Sequence, residues 1–443
     1  MEQQENPLKS ILISRGIKAD SSERYKKFNL SFNPFPRSGI SDLNSSDYII
    51  SKLIPIDDEV KRGVDEFIVD SLFPTNPNTS DKYLSAVIRG EYGYGKTQTL
   101  LFAKFLIESF SKEKEFHKNP YVVYIDNPGA KLTELIGAII AQIGEENFKR
   151  YLWNQVLEHL STNSEIKKQL LSFVPRGYTL FDEDDIDPFS PVNTVNYKNF
   201  IDEWYKALKI DPKKRKGFQD TLKSFIISKL TTELGNSTVA LFFYDLLSEN
   251  IGINKTWEIL TSGSAKELEK KEVYIIRAIV NILRSQGYTD FYILVDEFEA
   301  VTAGRLTPTE IDRYVTNLRA LIDKERNWCS LFAMTGFALT RLKGVSPPLA
   351  ERISGRIIEL KALNNEKAKQ LTINYLNLAR DESTSISPFE DSAIESLREL
   401  SRGILRVYLK SSFNMLQRAT EELNENQTIN SEFVSKHFQI EEE

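Results

Sequence analysis

The stretch Arg89-Gly90-Glu91-Tyr92-Gly93-Tyr94-Gly95-Lys96-Thr97-Gln98 decides the fold. From Gly90 to Thr97 it satisfies the phosphate-cradling pattern G-x-x-x-x-G-K-[ST] at every fixed position. The run just before it, Leu84-Ser85-Ala86-Val87-Ile88, reads as a buried strand. Just after it, Thr99 to Leu106 carries apolar residues at helical spacing. Strand, glycine loop and helix together are the context in which this pattern binds phosphate, and they argue against a glycine loop that matches by chance. The glycines let backbone N–H groups turn toward an anion, and the helix N-terminus adds its positive end. The expected nucleotide-binding set is Gly90, Gly93, Tyr94, Gly95, Lys96, Thr97 and Gln98. Lys96 would reach the β- and γ-phosphates, and Thr97 would offer its hydroxyl to Mg²⁺.

A second run belongs with the first. Phe291-Tyr292-Ile293-Leu294-Val295-Asp296-Glu297-Phe298-Glu299 is apolar and ends in carboxylates, as a central parallel strand does where it meets a ligand. Asp296 is the expected Mg²⁺ partner. Glu297 is placed to orient and activate a water for attack on the γ-phosphate. An Asp-Glu turn after a strand is ordinary by itself; the upstream phosphate loop gives it meaning. A further strand at 330–334 ends in Thr335, either a group for the attacking water or γ-phosphate or a simple strand terminator.

The chain has 443 residues, 41% hydrophobic and 27% charged, within the range of a soluble globular protein of two or three domains. No apolar run approaches a membrane span, and Met1 to Asn6 lacks the layout of a signal peptide. A single cysteine, Cys329, excludes an internal disulfide and fits a reducing cytoplasm. Three scattered histidines and one cysteine make no recognisable zinc pattern. A net charge of −6 argues against a generally basic nucleic-acid coat, though not against a local basic surface.

Outward from the two motifs, the expected architecture is α/β, a parallel sheet flanked by helices. Residues 1–55 form an N-terminal strap. In it Phe28 to Pro36 is an extended segment with two prolines that covers a hydrophobic edge or walls an adenine pocket. Residues 56–144 and 288–363 form the nucleotide-binding core, with helices over 56–73 and 132–143 and strands at 121–125 and 357–360. Residues 145–287 form a mainly helical insertion with an acidic run at 182–188 and a basic run at 213–216. Each run is a solvated loop, or for the basic one a nucleic-acid contact. The stretch holding Pro347-Pro348 reads as a loop leading to Arg352 and Arg356, on one short turn before the fifth strand. Residues 364–443 form a helical lid.

This order of parts resembles an AAA+ ATPase. Within that superfamily it is similar to the initiator-type, origin-recognition branch, and to the ATP-binding proteins of BREX-type phage-defence systems. Arg89 to Thr97 and Leu283-Arg284-Ser285-Gln286-Gly287-Tyr288 carry the second likeness. The resemblance covers about residues 84–144 and 273–438. It implies that Thr335 takes the sensor-1 position and that Arg406, in Gly403-Ile404-Leu405-Arg406, takes the sensor-2 position at the γ-phosphate. It also implies that Arg352, or in competition Arg356, is an arginine finger reaching a neighbour's site, so that hydrolysis depends on self-assembly. The bland reading of each arginine is a surface ion pair.

The function expected is Mg-ATP binding and hydrolysis by a switch or assembly motor acting on DNA or DNA-bound partners, in prokaryotic genome defence. The alternatives are a STAND-like signalling ATPase with protein partners, favoured by the acidic charge and large insertion, and a transposition-type target selector.

Overall fold

The computed structural model describes residues 23–38, 55–75, 82–175, 200–248, 265–302 and 306–438. The acidic run at 182–188 lies outside them.

Five apolar runs form a parallel sheet. They are β1 (Leu84–Arg89), β2 (Pro120–Ile125), β3 (Asp290–Val295), β4 (Cys329–Met334) and β5 (Arg356–Glu359). They pair in the order β2-β3-β4-β1-β5, every pairing parallel. The interior strands β1, β3 and β4 are buried almost throughout, as strands covered on both faces must be. Because all five run the same way, the C-terminal ends of β1, β3 and β4 share one rim. Arg89 pairs with Met334 and Val295 with Phe332, so the register sets Gly90, Asp296 and Thr335 close together.

The period of two along each strand divides the core. Val87, Val123, Ile125, Ile293 and Val295 face one way and share a continuous hydrophobic cluster with the insertion helices. Those helices span Glu145–Thr162, Ser164–Leu171, Phe200–Ala207, Arg215–Leu234, Ser237–Ser248 and Ala265–Ser285. Ala86, Ile88, Tyr124, Tyr292 and Leu294 face the other way, against the helices Asp58–Leu72 and Lys96–Ser109.

Four further helices, Asn365–Leu376, Asp391–Leu400, Leu405–Glu422 and Ser431–His437, gather around a separate core. Tyr25, Phe28, Leu30 and Phe35 are buried in that core, so the N-terminal strap packs on the lid. The strap begins with a short helix, Glu23–Lys26. Phe35 stacks on Tyr375 at 5.5 Å between centroids and meets Phe389 edge-on at 5.9 Å.

One expectation is corrected. The stretch before β5 is helical, not a loop: Gly336–Val345 and Pro347–Ile353 are helices. Pro347 and Pro348 occupy the first positions of the second helix, where a missing N–H leaves no bond unmade. Arg352 therefore sits in the last turn of a helix and Arg356 opens β5, so the two do not share one turn. Among the described residues no helix is long and apolar enough to cross a membrane.

Candidate nucleotide site

The loop after β1 reaches the helix Lys96–Ser109 through two glycines at positive φ, Gly93 at +78° and Gly95 at +94°. L side chains rarely adopt this backbone region. Space forbids a side chain there too. A Cβ on Gly93 would lie 2.7 Å from Ile404 Cγ2, and one on Gly95 would lie 2.8 Å from Leu405 Cδ2. The lid thus presses directly on the loop, and the Arg406 N–H donates to the Gly93 carbonyl at 3.0 Å.

Lys96 is buried in this loop. Its Nζ donates to the carbonyls of Gly90 at 3.1 Å and Glu91 at 3.4 Å. It also lies 3.4 Å from Glu299 Oε1 and 5.0 Å from the centre of the Tyr92 ring.

Asp296 is almost fully buried and accepts three hydrogen bonds. Thr97 Oγ1 donates to its Oδ2 at 2.5 Å, Tyr124 Oη to the same oxygen at 3.0 Å, and the Glu297 N–H to Oδ1 at 2.9 Å. Burial, with the negative Asp296 beside it, drives the Tyr124 hydroxyl far above the ordinary phenol range, so it stays a donor.

Glu297 follows at φ +48°, a left-handed conformation that is costly for a residue with a side chain. The turn is held by its neighbours. The Phe298 N–H donates to Ala333 O at 3.0 Å and the Ala300 N–H to Glu297 O at 2.9 Å. Phe298 is fully buried, 5.0 Å from Phe332 and 6.3 Å from Tyr314. Phe298 anchored inside leaves Glu297 exposed on the cleft.

That cleft brings together Lys96, Thr97, Gln98, Asp296, Glu297 and Arg406, from three separate parts of the chain, with Pro36 of the strap and Tyr375 of the lid along its border. A second, more apolar cavity lies behind the loop. Ile56, Val60, Leu360 and Leu371 line it with Tyr94, and it shares Gly95, Gln98 and Leu405 with the cleft. Gly90 supports the loop from β4, donating its N–H to Met334 O at 3.2 Å.

The other expected site residues stand apart from the cleft lining. Thr335 is buried and caps the helix Gly336–Val345, its hydroxyl oxygen accepting the Ala338 N–H at 3.1 Å. Arg352 is ion-paired with Asp323 and donates to Pro348 O at 3.1 Å. Arg356 is paired with Asp70 at 2.8 Å and Glu66 at 3.7 Å.

Two site residues escaped the sequence reading, Tyr124 and Glu299. Tyr124 is the penultimate residue of β2, and pairing β2 with β3 would have set it near Asp296. Glu299 opens a one-turn helix, Glu299–Thr302, and is 5% exposed. Burial pushes its carboxyl above the usual carboxylate range, with Lys96 beside it pulling the other way. A third carboxylate so close to the Asp-Glu pair was the available signal.

No protein-family model matches the chain, and no curated protein matches it. Among solved structures it is similar to the ORC2 protein of Aeropyrum pernix. The ADPNP-ADP complexes match at 14% identity over 89% of this chain and 70% of that one, with a TM-score of 0.44. The ADP form matches at 12% identity over 86% and 67%, with a TM-score of 0.41.

Proposed function

We propose that this chain is an AAA+ ATPase that binds and hydrolyses Mg-ATP. One observation carries the reading: Thr97 of the phosphate loop and Asp296, 199 residues apart in sequence, meet at 2.5 Å in a cleft that also holds Lys96 and Glu297. The two convergent oxygens suit a hard dication. Thr97 and Asp296 would hold Mg²⁺, which when bound draws charge from the phosphate oxygens. Gly93, Tyr94, Gly95 and Gln98 form the phosphate cradle, and the apolar cavity behind the loop accepts the base. Lys96 swings from the loop carbonyls to the β- and γ-phosphates. Glu297, already turned into the cleft, orients the attacking water. Arg406 answers the γ-phosphate from the lid, and Thr335 acts from the end of β4.

The test is Glu297→Gln. It should keep ATP affinity and lose hydrolysis by about 100-fold or more, read by phosphate release beside equilibrium binding. Unchanged hydrolysis would place the base elsewhere.

In this reading the lid at 364–443, the core at 56–144 and 288–363 and the strap at 1–55 close on the nucleotide. The insertion at 145–287 braces the sheet. The sequence resemblance supports action on DNA or DNA-bound partners, in prokaryotic genome defence, by a chain that self-assembles. An arginine finger in trans requires Arg352 to leave Asp323, or Arg356 to leave Asp70 and Glu66. Sizing with and without ATP and duplex DNA, on Arg352→Ala and Arg356→Ala chains, tests this. A chain that stays monomeric with ATP and ignores DNA would sink it.

A further inference from the structure

Glu299 has no part in the mechanism above, yet it lines the same cleft. It is 5% exposed, and neither carboxylate oxygen completes a hydrogen bond. A carboxylate so buried is costly unless a cation compensates it. The compensation is Lys96, itself buried, whose Nζ lies 3.4 Å from Oε1. The remaining contacts of that ammonium are the Gly90 and Glu91 carbonyls and the Tyr92 ring, all within the loop. Glu299 is therefore the one anionic side chain paired with Lys96 among the described residues.

We propose that Glu299 is the counter-ion that parks Lys96 inside the phosphate loop before nucleotide arrives, and so sets the affinity for nucleoside triphosphate. The proposal rests on reading the cleft as a nucleotide site. To meet the β- and γ-phosphates, Lys96 must leave Glu299 or share itself with it. When it leaves, the carboxylate stays buried with no hydrogen bond and faces the incoming phosphate charge. Both effects penalise the bound state, and only the fraction of molecules with Lys96 released binds at full strength. Glu297 differs in kind: it is exposed on the cleft and lies beside Asp296, where a water can be reached. Glu299 is a positioning residue, acting through Lys96.

Glu299→Gln keeps the shape and removes the charge. Equilibrium titration with a non-hydrolysable ATP analogue and Mg²⁺ should show about tenfold tighter binding than the wild type. The thermal melt without nucleotide should fall, because the buried Lys96 ammonium loses its anion, and adding the analogue should restore it. Unchanged or weaker binding by the folded variant overturns the proposal. Lys96→Ala in the same titration separates the two readings. Loss of binding there keeps the nucleotide site standing whatever Glu299→Gln does, whereas wild-type binding overturns the site itself. If Glu299→Gln fails to fold, Glu299→Asp decides. It keeps the charge but draws it back from Lys96, so a smaller gain in affinity supports the proposal and none overturns it.

Discussion

Asp296 and Trp204 are both almost completely buried, and everything around them differs. Asp296, at the end of β3, accepts hydrogen bonds from Thr97, Tyr124 and the backbone of Glu297, beside a left-handed turn and a lysine held by carbonyls. Trp204, in the insertion, lies 5.4 Å from Trp153 and 6.4 Å from Phe218, among rings and aliphatic chains. One region concentrates charge, strain and close backbone approach. The other fills space. Strain and buried charge persist only where surrounding structure holds them, and the continuous core shared by insertion and sheet supplies that support. Substitutions at the rim should therefore change how ligand is bound, and substitutions in the insertion should change stability.

The harshest way to break this division is Trp204→Ala. Truncating a large, fully buried ring should cost about 3–5 kcal/mol of stability, read by urea denaturation. ATP affinity of the molecules that remain folded should stay at the wild-type value. A parallel loss of affinity would show that the insertion core is coupled to the cleft.

Much of this division was legible beforehand, because local pattern and tertiary context agreed. The strand at 84–89, the loop from Gly90 to Thr97 and the apolar run ending at Asp296 were readable because each needs a residue type at a fixed spacing. The lid helices were readable from their periodicity, and Asp391–Leu400 has the expected ends. The helix Pro347–Ile353 was missed because two prolines read as a breaker, although the first turn of a helix tolerates them. Tyr124 and Glu299 were missed for a different reason. Nothing local marks a tyrosine near a strand end, and a third carboxylate beside Asp296 and Glu297 signals a site without saying which group it serves. Their significance comes from the pairing of β2 with β3 and from the burial of Lys96. The strap was read as a cover, but its partner, the lid core around Tyr375, depends on contacts far away in sequence.

At the rim, Gly93→Ala tests whether close approach matters as much as phosphate geometry. The new methyl group would meet Ile404 and Arg406 in a backbone region unfavourable to alanine. The combined cost should be about 1–3 kcal/mol, falling on the closed lid. Nucleotide affinity should drop tenfold or more in a titration, and the lid should become more sensitive to limited proteolysis. An unchanged affinity would mean that lid contact is incidental.

Tyr124→Phe sharpens the comparison further, since it deletes one oxygen and keeps the ring. Asp296 would retain Thr97 and the Glu297 N–H but lose one of the two donors to its Oδ2. Outer partners of metal-holding carboxylates are commonly worth about tenfold in metal affinity or more. The Mg²⁺ concentration that half-saturates hydrolysis should rise by about that factor, with little change in melting. A shift in melting without a Mg²⁺ effect would assign Tyr124 to the core instead.

The smallest effect is expected from a polar cluster in the insertion. His159 Nε2 lies 2.5 Å from Glu233 Oε1, and Gln155 Nε2 donates to the other oxygen at 2.9 Å. The hydrogen-bonding carboxylate of Glu233 raises His159 above its ordinary 6.5, against partial burial, which lowers it; Lys229 opposes and Glu158 assists. A histidine whose folded value is raised stabilises the protein fully below its unfolded value, and that contribution fades as pH rises through the folded value. The pair is partly open to solvent, so its worth is under about 1 kcal/mol. The stability gap between the wild type and His159→Gln should therefore be widest below pH 6.5 and close on the alkaline side, as read from urea midpoints. ATP affinity should stay the same in both chains across that range. A pH-dependent gap in affinity would carry the insertion's charge chemistry to the cleft, and the division between a space-filling region and a ligand-handling one would fail where it was expected to be weakest.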